Sequence, residues 1–93
     1  MAEDTREFNL LWTGDHDAYQ HVVATARDAL RKVPNMTDQT LGFNGRYWVS
    51  NYFTDHPESL HAEQFLRVAP FWSVDEEEVA DAIREALSIE FPE

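Results

Sequence analysis

The 93-residue sequence predicts a mainly α-helical fold, a small single-domain bundle of three to four helices spanning residues 1–93. Three observations carry that prediction. Two long segments repeat apolar residues at helical spacing. Pro34, Pro57 and Pro70 fall where such segments begin or end. Apolar residues make up 43% of the chain and aromatics 13%, enough for a core and too many for a disordered acidic chain.

The first segment, "REFNLLW", fits two readings. Phe8, Leu11 and Trp12 share a helical turn, whereas Phe8, Leu10 and Trp12 share one face of a strand. The clearest helix runs from about His16 to Val33. Tyr19, Val22, Val23, Ala26, Ala29, Leu30 and Val33 form its apolar stripe. Asp15 or Thr13 can cap its start. Arg31 and Lys32 suit the negative end of its dipole, and Pro34 closes it.

The middle segment, "GFNGRYWVSNYF", holds five of the twelve aromatic residues. Asn44-Gly45 is a strong hairpin signal, so a short β-hairpin around it is one reading. Alternate residues do not sort by polarity, however. A helix capped by Asn44 groups Trp48, Val49, Tyr52 and Phe53 on one side, and this is the favoured reading. That grouping predicts core, with Arg46 and Tyr47 off the stripe. A base-stacking platform needs an electropositive track beside its rings, which Arg46 and Arg67 alone do not make.

Pro57 and Pro70 bracket a shorter predicted helix lined by Ala62, Phe65, Leu66 and Ala69. In the final segment, Ser73-x-x-Glu76 reads as a capping box. Asp75, Glu76 and Glu77 fill the first turn. Val79, Ala82, Ile83, Ala86 and Leu87 make the stripe. Ile89 and Phe91 follow it and are expected to fold back on the core, or else to form a small apolar anchor.

Net charge is −11, which disfavours direct contact with nucleic acid or anionic membranes. The excess sits at the ends. Residues 1–20 carry −4, residues 21–72 carry zero and residues 73–93 carry −7. The chain has no cysteine, and "MAEDTREF" has no basic stretch leading into an apolar run, so a cytoplasmic location without a signal peptide is expected. No apolar stretch approaches the roughly 20 residues of a membrane span.

Candidate chemistry is sparse. Asp17 and His21 share a helical face near His16, but two ligands on one helix make no metal centre. His56 and His61 are five apart, which turns them away from each other on a helix. Ser59 beside His61 lacks a nucleophile elbow. The three glycines form no phosphate loop. No catalytic residue, metal or cofactor is assigned. The feature left over is a carboxylate ladder, Glu77, Glu78, Asp81 and Glu85, interrupted only by Arg84. Like charges at i, i+4 cost a few tenths of a kcal/mol each, so the ladder opposes helix formation.

The residues Asn9, Leu11, Trp12, Asp15 and Tyr19, then Ala26-Arg27, Leu30 and "VADAIREAL", resemble a group of short phage-encoded helical proteins. The resemblance covers about half the chain and implies a viral or mobile-element origin, hence a host-cytoplasmic setting.

The expected function is a non-enzymatic, acidic protein-binding module. Its carboxylates would occupy the basic, nucleic-acid-binding surface of a host defence protein, as a DNA mimic or an anti-CRISPR or anti-restriction inhibitor does. Glu77, Glu78, Asp81 and Glu85 are the main expected contacts. Asp15, Asp17, Glu3 and Asp4 follow if the fold brings the ends together. The alternative is a structural module that assembles as a homo-oligomer, with acidity serving solubility or salt adaptation.

Overall fold

The computed structural model describes residues 3–68 and 73–92, and among them it contains five helices and no strand. They are α1 (Glu3–Thr13), α2 (His16–Lys32), α3 (Asp38–Asp55), α4 (Ala62–Val68) and α5 (Glu76–Glu90). The mainly α fold stands, with five helices rather than three or four.

α1 settles the ambiguity of "REFNLLW". Phe8, Leu11 and Trp12 are buried, and Leu10 is 58% exposed, which is the helical pattern. The Trp12 indole N–H donates to Asn9 Oδ1 at 3.0 Å, so its polar edge is satisfied one turn back. α2 forms as the periodicity requires. Asp15 is its cap and accepts from the Ala18 N–H at 3.1 Å, while Val22, Val23 and Ala26 face the core.

The middle of the chain is helical, as the favoured reading expects, but the helix starts earlier than an Asn44 cap would place it and no hairpin forms. α3 runs straight through Asn44-Gly45, and Thr37, not Asn44, caps it by accepting from the Thr40 N–H at 3.2 Å. A tight two-residue hairpin turn needs positive φ, and no described glycine has it. Gly45 serves packing instead. A Cβ there would stand 2.5 Å from Ile83 Cδ1, and one at Gly42 would overlap the Glu76 carbonyl. The two glycines lie three apart on one face of α3 and let α5 cross against bare backbone. Val49, Tyr52 and Phe53 are buried and Trp48 packs partly against them, as the aromatic stripe predicts.

α4 is shorter than its bracketing prolines suggest. Pro57 follows the α3 cap residue His56 and opens a pair of turns, with Ser59 N–H donating to His56 O and Ala62 N–H to Ser59 O. Proline just past a helix end is favourable because it cannot continue the helix. Ala62 and Phe65 are buried. Leu66 is largely exposed, and Ala69 and Pro70 lie outside the described residues. Phe65 packs between Phe8 of α1 and Phe53 of α3, at centroid distances of 5.8 and 4.9 Å.

α5 is capped by Asp75, whose Oδ1 accepts from the N–H groups of Glu77 and Glu78 at 2.9 and 3.3 Å. The predicted Ser73 capping box therefore does not form. The Ser73 N–H is directed to Asp4 Oδ2 at 3.3 Å, and a carboxylate two residues later satisfies the helix start. Val79, Ala80, Ile83 and Ala86 form the buried face. No described helix is long and apolar enough to cross a membrane.

Candidate functional site

The buried stripe of α5 fixes where its acids point. With Val79, Ile83 and Ala86 turned inward, Glu77, Asp81 and Glu85 lie on the outward side, and Glu78 is half-buried at its margin. Glu77, Asp81 and Glu85 succeed one another at four-residue steps, about 6 Å of rise each. Among the described residues these three make no salt bridge. The cation within the ladder is drawn away from it. Arg84 Nε donates to Asp38 Oδ1 at 2.7 Å and Nη2 to the Met36 carbonyl at 3.1 Å. Arg46, from α3, is occupied with Glu76 at 3.4 Å. The outward carboxylates are thus left without a cation of their own.

The fold also joins the two acid-rich ends. Asp4 meets Ser73, and the Asp75 N–H donates to the buried Thr5 hydroxyl at 2.9 Å. Asp4 and Asp75 therefore stand beside the start of the ladder. The Glu3 side chain lies outside the described residues.

Asp15 and Asp17 go elsewhere. Asp15 is 5% exposed and committed to capping α2, so it is not displayed. Asp17 is exposed but lies away from the start of α5. Both carboxylates act on Tyr52, near the close of α3, whereas α5 begins against Gly42. Ten residues of helix, about 15 Å, separate those positions. Burial raises the Tyr52 pKa above 10.0, and the charges of Asp17, Asp15 and Glu58 raise it further. The His21, Tyr52 and His56 rings line up here, at centroid distances of 5.3 and 4.5 Å. No group of three His, Asp or Glu side chains among the described residues is arranged to hold a metal.

Two further surfaces stand out, the first at Tyr47, which the sequence places off the buried stripe, and the second not legible in the sequence. Phe43 and Tyr47 are 49% and 56% exposed and meet edge to face at 5.2 Å beside Arg46. Their i, i+4 spacing was the available signal. The second surface is a groove where the C-terminal halves of α2 and α5 meet. It has a volume of about 910 Å³ and is lined by Arg27, Arg31 and Arg84 over Leu30, Leu87 and Phe91. Phe91 does not fold into the core. Its ring lies under the Arg27 guanidinium at 3.9 Å, and Ile89 is 64% exposed.

Comparison with family models, curated proteins and solved structures finds no match to this chain.

Proposed function

We propose that the protein is a non-catalytic binding module whose α5 acid face docks on the basic, nucleic-acid-binding surface of a partner protein. One observation carries this reading. Glu77, Asp81 and Glu85 are presented outward at regular steps while Arg84, the base within the ladder, is paired to Asp38 instead. A surface that served hydration alone would gain helix stability by interleaving bases at i, i+4. Here the repulsion is retained, and Asp4 and Asp75 extend the anionic surface at its N-terminal edge. Carboxylates one turn apart offer arginines and lysines a row of anions, as a phosphate backbone does. They would speed encounter and block the groove. A host defence protein is the partner proposed, since small acidic proteins of viral or mobile-element origin can disarm such proteins by mimicking DNA.

The test is affinity capture from the native host with two baits, the wild-type chain and Glu77→Gln/Asp81→Asn/Glu85→Gln. Binding should fall steeply between about 50 and 500 mM salt, as screening shortens. A partner retained equally by both folded baits would end the proposal.

A second reading rests on the exposed Phe43–Tyr47 pair, which suits an assembly interface. Under it, Phe43→Ser/Tyr47→Ser would lower the molecular mass at high protein concentration, and reversal of Asp81 to lysine would leave the mass unchanged.

A further inference from the structure

We propose that the groove between α2 and α5 binds a small anionic amphiphile, one carboxylate or phosphate head carried on an apolar body. The inference goes beyond the protein-docking role and uses none of its acidic contact residues. The chain has six arginines against eighteen acids, yet three of the six line this one groove. Helix-dipole placement accounts for Arg31, in the last turn of α2, but not for Arg27, a full turn earlier.

Arg27 and Arg31 share a helical face about 6 Å apart, a span that lets two guanidiniums grip one head group. Both have donors to offer. Arg27 makes no hydrogen bond or salt bridge among the described residues, and its cation–π contact with Phe91 uses no N–H donor. Among the described residues, Arg31 makes one salt bridge, to Asp28 at 3.9 Å. Arg84 contributes charge and a wall, because Asp38 and the Met36 carbonyl already take its Nε and Nη2.

Beneath these heads lie Leu30, Leu87 and Phe91, an apolar floor that a bare inorganic anion would leave uncovered. The volume falls in the range of about 300–1,000 Å³ common for small-molecule sites. Glu90 also borders the groove, and its charge acts on Tyr19. That polarity directs the anionic head toward Arg27 and Arg31 and the tail across the floor.

The test is titration of the full chain with decanoate, decyl phosphate, decanol and inorganic phosphate, followed by amide NMR. Decanoate or decyl phosphate should shift the Leu87, Ser88 and Phe91 amides saturably, and the tighter of the two identifies the head group. Arg27→Gln/Arg31→Gln, checked for an unchanged melting point, should weaken binding by at least about tenfold, the scale of one charge-assisted contact, and more if both guanidiniums grip the head. Decanol should bind comparably weakly. The Glu77/Asp81/Glu85 neutral variant should bind as wild type, so this outcome is independent of partner docking. Equal binding of decanol, undiminished binding by the arginine variant, inorganic phosphate matching the amphiphiles, or shifts spread through all helices would each overturn the proposal.

Discussion

The backbone N–H of Asp75 donates to the Thr5 hydroxyl across 2.9 Å, tying the residue that caps α5 to the first turn of α1. Thr5 is fully buried, while Asp75 is exposed and the bond between them is partly shielded from water. Replacing Thr5 with valine keeps the shape and strands the Asp75 donor. Urea unfolding should report a loss of about 0.5–1.5 kcal/mol, the net contribution of a typical hydrogen bond. Thr5→Ser restores the acceptor and should recover most of it. Equal stability of the valine and serine variants would show that the bond contributes nothing.

The two glycines of α3 should differ sharply when given a methyl group. At Gly42 the obstacle is the Glu76 backbone, which cannot yield without moving α5. Gly42→Ala should cost at least the ~1–3 kcal/mol of overpacking and prevent α5 from seating. At Gly45 the obstacle is the tip of Ile83, a flexible end. Overpacking there is partly offset by the gain of about 1 kcal/mol in helix propensity. Gly45→Ala should be mildly destabilising alone and neutral or better with Ile83→Val, a coupling that a double-mutant cycle measures.

Folding and docking should separate at Asp81. Changing it to lysine converts its repulsions with Glu77 and Glu85 into attractions at i, i+4. The thermal midpoint should rise, by the equivalent of roughly 0.5–1 kcal/mol at low salt and less at high salt. Partner capture should be lost in the same variant. A drop in stability would mean that Asp81 makes a structural contact in solution.

Stability should decline in alkali through two tyrosines. Burial holds the pKa values of Tyr19 and Tyr52 above 10.0, with Glu90 adding its repulsion at Tyr19 and Asp17, Asp15 and Glu58 adding theirs at Tyr52. The native state therefore keeps protons that the unfolded chain releases. The stabilisation is fully present below pH 10.0 and is lost as pH rises through the folded-state values. Urea midpoints measured across this range should fall less in Tyr19→Phe/Tyr52→Phe than in wild type.

Helix positions were legible where burial and periodicity agreed. Tyr19 to Leu30 and Val79 to Leu87 show their stripes plainly, and Leu10 against Leu11 decides the first segment once a core exists. Turn and cap chemistry misled where a tertiary contact competed with a local motif. Asn44-Gly45 carries hairpin signals, yet Gly45 answers to Ile83, thirty-eight positions later in sequence. Ser73 has the spacing of a capping box, but its backbone turns to Asp4. The outward acids of α5 could be read from the helix pattern. The withdrawal of Arg84 to Asp38, the burial of Asp15 and the arginine-lined groove could not, since each depends on which helices cross.

The passage of α5 over Gly42 and Gly45 sets an order of events for vectorial synthesis. Both glycines leave the ribosome well before the helix that covers them, and the Thr5 hydroxyl waits longer still for the Asp75 amide. A translating chain stalled ahead of α5 would hold an open seam at α3, susceptible to proteases that spare the chain once α5 is seated. Arrival of α5 is then the step that closes the α3 seam and satisfies the Thr5 hydroxyl.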